Sequence, residues 1–227
     1  PNINKEILIK VCLVSLKSSI LNFLNQNNLK INLNLISDGS NMDFDNKINN
    51  LLTNEKFKIN FFKSKIRGNR GSYLECCDLA EKSEDLVFFI EDDYLFEPEC
   101  INEMILSFSK ISSILKNDIF MCPSDYPFYY DSNYKTSLII GKNYKWRSVG
   151  ETLLTFLFSK NLLNRFRNEI RLVGEQENSP FEKPLHNIFK KHYCFAPVNS
   201  LSYHLSRSIP AVSENWLKLW ETNFREI

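Results

Sequence analysis

The sequence lacks the cysteine patterns of a zinc site or of a disulfide framework. Its six cysteines include no CxxC pair and form no compact group with the three histidines. A chain of 227 residues is also long for a fold that depends on disulfides. The cysteines are Cys12, Cys76, Cys77, Cys100, Cys122 and Cys194. Because most of them lie in apolar segments, we expect buried, reduced thiols and a cytoplasmic protein.

Long uncharged apolar runs and an excess of one charge are also missing. No segment reaches the roughly 18 uncharged apolar residues of a membrane-spanning helix, and no secretory signal is visible. The net charge of +1 excludes the strong positive field that recruits nucleic acid. We therefore expect no nucleic-acid partner and no transmembrane segment. The amphipathic tail, residues 213–224, leaves open a peripheral membrane contact, a contact with a further domain of a larger protein, or core packing.

The hydrophobic pattern predicts a single α/β domain over residues 1–227. Strand-like and helix-like segments alternate through residue 115. Strands are predicted at 7–16, 31–36, 57–62 and 86–90, and helices at 18–27, 44–52, 73–82 and 101–115. Beyond this point we expect helices at 152–166, 185–191 and 213–224 and a strand at 194–198. The alternation favours a three-layer α/β/α sandwich with a mostly parallel central sheet.

Three adjacent carboxylates directly follow the apolar run "LVFFI" (86–90). They are Glu91, Asp92 and Asp93. Ligands bind at the carboxyl ends of the strands in parallel sheets, and carboxylates packed together there repel one another and are desolvated. A hard divalent cation such as Mn²⁺ or Mg²⁺ relieves both effects and leaves coordination positions for phosphates. The alternative is a solvated acidic turn before a helix.

Four segments, in this order, resemble the nucleotide-sugar-dependent glycosyltransferases of the GT-A fold, family 2-like. They are a strand leading into "SLKSS" (15–19), "LISDGS" (35–40), "GNRGS" (68–72) and "VFFIEDDYLFEP" (87–98). The last is a Glu-Asp-Asp version of the Asp-x-Asp motif, similar to the N-acetylglucosaminyltransferase I type. The resemblance covers about residues 7–115 well. It implies a Rossmann-like GT-A fold, with a nucleotide-sugar-binding half (1–115) and an acceptor-binding half (116–227).

The resemblance also implies a role for each matching residue. Asp38 would bind the nucleotide base, and Glu91 and Asp92 would face the ribose and the sugar. Asp93 would coordinate the Mn²⁺ or Mg²⁺ that bridges the diphosphate. His204, in the segment that leads from a short helix through a strand and a proline to a histidine, would be the second protein ligand of the metal.

Two arginines are candidates on chemical grounds alone. Arg67 and Arg70 lie in a loop with two glycines, and guanidinium groups beside such a loop suit phosphate or base contacts. A solvated loop is the alternative.

An inverting transferase also needs a carboxylate that takes the proton of the acceptor hydroxyl. The resemblance implies that this base lies upstream of His204, where the sequence offers Glu175, Glu177 and Glu182. Glu182, 22 residues before His204, is the first candidate, and Glu177 is its rival. The Glu-Asp pair typical of the family is replaced here by "GEQEN" (174–178).

The expected activity is metal-dependent transfer of a sugar from a nucleotide-diphospho-sugar to a glycan or other saccharide, with inversion. By resemblance the donor is a UDP-sugar and the pathway a polysaccharide biosynthesis. One alternative is a nucleotidyltransferase of similar fold, although "SLKSS" lacks the glycines of the loop such enzymes carry. The other is a non-catalytic module that binds a glycan or a partner, which the missing Glu-Asp pair keeps open.

Overall fold

The structure, a computed structural model, describes residues 4–131, 133–206 and 215–227 as a mixed α/β fold. The helices are α1 (Lys5–Gln26), α2 (Met42–Leu52), α3 (Asn69–Ala80), α4 (Cys100–Leu115), α5 (Lys160–Arg165), α6 (Arg167–Glu175), α7 (Lys183–Phe189) and α8 (Asn215–Phe224). The strands are β1 (Asn32–Ser37), β2 (Lys58–Lys63), β3 (Leu86–Phe89), β4 (Tyr94–Phe96), β5 (Phe120–Met121), β6 (Leu138–Ile140), β7 (Lys145–Ser148), β8 (Phe156–Ser159), β9 (Cys194–Pro197) and β10 (Ser202–His204). A short 3₁₀ helix covers Pro127–Tyr130.

The strand predicted at residues 7–16 is wrong, because this segment is the first half of α1. The helix begins after Asn4, whose side chain accepts a hydrogen bond from the Glu6 amide at 2.8 Å. It packs against α2, α4, α8 and β4, so its apolar residues lie on several sides and show no clear helical period. The segment "SLKSS" therefore lies inside a helix, and the first motif of the resemblance is not a strand followed by a turn.

Helix α1 is also long and apolar enough to cross a membrane, by length and composition alone. It has 22 residues, and its most apolar 18-residue window has a mean hydropathy of 1.8 and is 44% buried inside the protein. A core helix of a soluble protein and a signal sequence near the N-terminus both pass the same test. Its side chains serve the fold: the hydroxyls of Ser15 and Ser19 accept hydrogen bonds from the amides of Phe96 and Ile101 at 2.9 and 3.0 Å.

The strands form three separate sheets. Strands β1 and β2 form a parallel pair, and β4 and β10 form an antiparallel pair. A six-stranded sheet has the order β3-β8-β5-β9-β7-β6. Within it β5 and β9 are parallel, and the other paired strands are antiparallel. The α/β class is thus present with a mixed sheet, and a mostly parallel sheet is not confirmed.

Two expectations about the six-stranded sheet need correction. Strand β3, predicted as central, lies at one end of the strand order, and of its four residues only Phe89 is fully buried. The helix predicted at 152–166 is wrong in its first half, because Phe156–Ser159 is the fully buried strand β8. Helix α5 begins only where the Ser159 hydroxyl accepts a hydrogen bond from the Leu162 amide at 3.2 Å.

Most other elements lie within a few residues of their predicted bounds. These are β1, α2, β2, α3, α4, α7 and β9. The tail helix is present as α8, and residues 213–214 of its predicted range lie outside the described residues.

Candidate functional site

The pairing of β4 with β10 brings Asp93 and His204 together. His204 lies opposite Tyr94 in this ladder, and the Leu205 amide donates to the carbonyl of Asp93 at 2.9 Å. The Nε2 atom of His204 lies 3.2 Å from Oδ2 of Asp93. The rings of His204 and Tyr94 stack, with centroids 4.7 Å apart and planes at 9°. Two residues separated by 111 positions, both expected at the metal, are therefore neighbours.

Glu91 completes this group, which we call the acidic cluster: Glu91, Asp93 and His204. One ligand atom from each residue lies within 4.8 Å of those of the other two. Among the described residues, Oδ1 of Asp93 and Nδ1 of His204 are buried without a hydrogen-bond partner. A buried polar atom without a partner is costly, and a cation at the cluster would reduce that cost for the Asp93 carboxylate. Two carboxylates and an imidazole are metal ligands that suit Mn²⁺, and the cluster fits such an ion.

The electrostatics of the acidic cluster point the same way. Burial, together with the charges of Asp93, Asp92 and Glu182, raises the pKa of Glu91 to about 8. Partial desolvation by neighbouring groups also raises the pKa of Asp92, although the residue itself reaches the surface, and the nearby charge of Lys5 opposes this shift. Unfavourable carboxylate contacts of this kind become favourable when a cation lies between the oxygens. Asp92 is exposed and lies outside the cluster, so its predicted contact with the donor stays a prediction.

Asp38 and Arg67 meet in the loops that follow β1 and β2. Oδ2 of Asp38 accepts a hydrogen bond from the Gly68 amide at 2.8 Å. Arg67 is exposed and its side chain lies beside Gly39. The loop turns back so tightly that a Cβ at Gly71 would collide with the carbonyl of Ile66. An exposed carboxylate and an exposed guanidinium thus lie in two loops that contact each other, and their binding of a nucleotide stays a prediction.

Arg70, predicted in the same role, is engaged elsewhere. Its Nε donates to the carbonyl of Gly174 at 2.9 Å, and its Nη2 donates to the carbonyl of Glu175 at 2.7 Å. These carbonyls belong to the last turn of α6, which has no further helical partners for them. The guanidinium therefore has a structural role at this helix end, and its contact with phosphate stays a prediction.

Glu182, the first candidate for the base, is a buried hydrogen-bond acceptor. It is 4% exposed. Its carboxylate accepts from the amides of Thr152, Leu153 and Leu154 at 3.0, 3.2 and 3.1 Å. It also accepts from the Thr152 hydroxyl at 3.2 Å, and it lies 2.9 Å from Nε2 of His186. A carboxylate with both oxygens occupied has no free lone pair facing a substrate, which argues against Glu182 as the base.

The pKa of Glu182 reflects this arrangement. Burial alone would raise it, but hydrogen bonds from His186 and from the amides of Leu154 and Thr152 outweigh burial, so the pKa is lowered. A carboxyl whose charged form is stabilised to this degree is a weak base. The rival candidate, Glu177, has an exposed side chain in the loop after α6.

The carboxylate of Glu182 holds a strained segment, residues 151–155, which we call the 151–155 loop. Leu153 and Leu154 have φ angles of +48° and +61°, a region that costs a non-glycine residue about 1–3 kcal/mol. Their amides point at the same carboxylate because of these angles. The hydrogen bonds that Glu182 accepts from these amides therefore compensate the backbone strain of the loop.

Glu151 and His186 are site candidates that the sequence reasoning missed. Oε2 of Glu151 lies 3.4 Å from Nε2 of His186, and the Glu151 side chain is 31% exposed. Burial raises the pKa of Glu151; His186 lowers it, and the charge of Glu182 raises it. Only the position of Glu151 before an apolar segment marked it in the sequence, and that pattern is common on protein surfaces.

The 151–155 loop connects Glu151 to the acidic cluster. The amide of Glu91 donates to Oγ1 of Thr155 at 3.2 Å, and the hydroxyl of Tyr94 donates to the carbonyl of Leu153 at 3.2 Å. Two groups of titratable side chains, one on each side of this loop, are therefore parts of one region.

Two surface cavities of about 510 and 580 Å³ are lined by residues outside the acidic cluster. The second is bounded by Ser148, Val149 and Gly150, just before Glu151.

The chain matches no protein-family model and no curated protein. The mixed α/β fold and the acidic cluster are therefore the features that bear on the function.

Proposed function

We propose that the chain is a metal-dependent glycosyltransferase that moves a sugar from a nucleotide-diphospho-sugar to a saccharide acceptor with inversion. The observation that carries the proposal is the acidic cluster, with the buried and unpartnered atoms Asp93 Oδ1 and His204 Nδ1. The sequence resemblance supplies the reaction class, and by that resemblance the donor is a UDP-sugar used in the cytoplasm.

The GT-A arrangement is part of the same proposal. The parallel pair β1–β2 supports it, because Asp38 and the loop with Arg67 lie at the carboxyl end of this pair. Glu91 and Asp93 of the acidic cluster also follow a strand, β3, which is antiparallel to β8 in the six-stranded sheet. Helix α1, in place of a first strand, is a departure from the pattern, so the fold proposal depends on residues 32–96.

Asp93, His204 and Glu91 would hold the metal, which would neutralise charge on the departing diphosphate. The remaining tasks belong to protein side chains. Asp38 and Arg67 would bind the nucleotide, since one offers acceptors and the other offers donors to a base or phosphate.

Calorimetric titration of the chain with Mn²⁺, and then with UDP, tests the proposal. We expect Asp93→Asn to weaken Mn²⁺ binding at least 10-fold, since this variant removes a ligand that is charged and keeps its shape. The matched control is Asp43→Asn. Asp43 is an exposed residue of α2 whose carboxylate forms an ion pair with Lys47. Equal Mn²⁺ affinity in wild type and Asp93→Asn would overturn the metal site.

Turnover is tested with a panel of nucleotide sugars plus Mn²⁺, by measuring release of the nucleoside diphosphate. We expect release from at least one donor, increased by a saccharide acceptor. Pyrophosphate release from a nucleoside triphosphate would instead show a nucleotidyltransferase. Donor binding without any turnover would show a non-catalytic module.

A further inference from the structure

We infer that Glu151 is the base that removes the acceptor proton and that His186 and Glu182 position it. The inference rests on the proposed function, because it names the residue that performs one step of that reaction. It replaces the assignment of this role to Glu182 or Glu177.

Glu151 lies close to the acidic cluster along the chain. Glu151 is four residues before Thr155, whose hydroxyl oxygen accepts the hydrogen bond from the Glu91 amide. Four residues span at most about 14 Å when fully extended, and this loop is bent, since the Thr155 amide bonds back to the carbonyl of Thr152 at 3.3 Å. Glu151 therefore lies within about 14 Å along the chain of a residue that contacts the acidic cluster, where the metal and the diphosphate beside the reacting sugar carbon would bind.

Neighbouring side chains orient Glu151. The backbone of Glu151 is fixed by the Tyr129 hydroxyl, which donates to the Glu151 carbonyl at 2.6 Å. Its carboxylate is directed by His186, whose Nε2 lies 3.4 Å from Glu151 and 2.9 Å from Glu182. Both carboxylates thus face the same ring nitrogen, and the imidazole holds the partly exposed carboxylate of Glu151 beside the buried carboxylate of Glu182.

The Glu151 carboxylate is open to a substrate. It is partly exposed, and within the described residues it accepts no backbone hydrogen bond that competes with a substrate, whereas the Glu182 carboxylate accepts three. The groups that face Glu151 are His186 and Glu182, and together with burial they leave its pKa above the ordinary value. A raised pKa makes a carboxylate a stronger base near neutral pH.

The proposed step is balanced in atoms and electrons. The acceptor oxygen forms a bond to the anomeric carbon of the donor, and its proton passes to the carboxylate of Glu151. The bond from that carbon to the diphosphate oxygen breaks, and the nucleoside diphosphate leaves with the electron pair. Glu151 returns its proton to solvent after the product leaves.

The test compares Glu151→Gln with Glu177→Gln, which removes the same charge from an exposed loop. We expect Glu151→Gln to bind UDP and Mn²⁺ like wild type and to fold normally by circular dichroism. Its kcat for transfer should fall about 10²- to 10⁴-fold, the range of general base catalysis. Glu177→Gln should keep the wild-type rate.

His186→Asn tests positioning by a readout that a purely structural role would not move. Because His186 lowers the pKa of Glu151, its loss should move the acidic limb of the rate profile to higher pH while KM for the donor is unchanged. An unmoved limb would overturn the positioning role.

The outcomes separate this inference from the proposed function. If wild type transfers sugar and Glu151→Gln transfers it at the same rate, Glu151 is not the base and the function survives. A wild-type chain that neither binds UDP with Mn²⁺ nor releases nucleotide from any donor rejects the function, and the inference is rejected with it.

Discussion

Replacement of Glu182 by alanine tests whether its carboxylate maintains the 151–155 loop. The substitution leaves the amides of Thr152, Leu153 and Leu154 without their acceptor. Each buried donor without a partner costs about 1–3 kcal/mol. Thr152 is fully buried and the two leucines are half-buried, so we count the full cost once and a reduced cost twice. With the reduced cost taken as half, the loss is about 2–6 kcal/mol, which includes the roughly 3–5 kcal/mol lost when one partner of a buried charged pair is removed.

Urea unfolding followed by tryptophan fluorescence measures this loss. We expect Glu182→Ala to lower the free energy of unfolding by about 2–6 kcal/mol, and Glu182→Gln to lower it less because one oxygen acceptor is kept. Glu177→Gln is the control, and an exposed substitution of this kind stays within about 0.5 kcal/mol of wild type. If Glu182→Ala is no less stable than Glu177→Gln, the carboxylate does not hold the loop.

Three further outcomes are expected. The pKa of Glu182 in the folded protein is lowered from its ordinary value of 4.5, so its ionised carboxylate stabilises the fold above that pH. As the pH falls below 4.5, the difference in unfolding free energy between wild type and Glu182→Gln should shrink in urea titrations. Leu154→Gly should cost less than about 1 kcal/mol in urea unfolding, because glycine relieves a positive φ. Arg70→Lys should lower stability by about 1–2 kcal/mol with unchanged UDP affinity, whereas Arg67→Ala should weaken UDP binding in calorimetry and leave stability unchanged.

Elements with one apolar face were predictable from the sequence, whereas α1 and β8, which are buried on several sides, were not. Helix α2 has three buried residues on one face, and its bounds follow from that period. Helix α1 has apolar residues around much of its circumference, so a ten-residue part of it is indistinguishable from a strand by composition. Strand β8 has four consecutive buried residues and was read as helix for the same reason.

Some residues of the site were also predictable from the sequence, and others were not. Asp93 and His204 were paired through the family resemblance, because no local pattern links positions 111 residues apart. The group around Glu182 has no such signature. Its donors are backbone amides that face the carboxylate only because Leu153 and Leu154 adopt positive φ, and leucine gives no indication of that conformation. Spacing from His204 therefore selected a glutamate whose carboxylate is already occupied.

The two glutamates of this region show why burial alone does not identify a base. Burial acts in the same direction on Glu151 and Glu182, yet the pKa of Glu151 is raised and that of Glu182 is lowered. The difference comes from hydrogen bonds: three amides and an imidazole stabilise the charge of Glu182, whereas Glu151 has the imidazole alone. Neighbouring carboxyl groups with opposite shifts divide their roles, one structural and one able to accept a proton. On the proposed function, the same His186 that helps to keep Glu182 charged also sets the pH at which Glu151 becomes active.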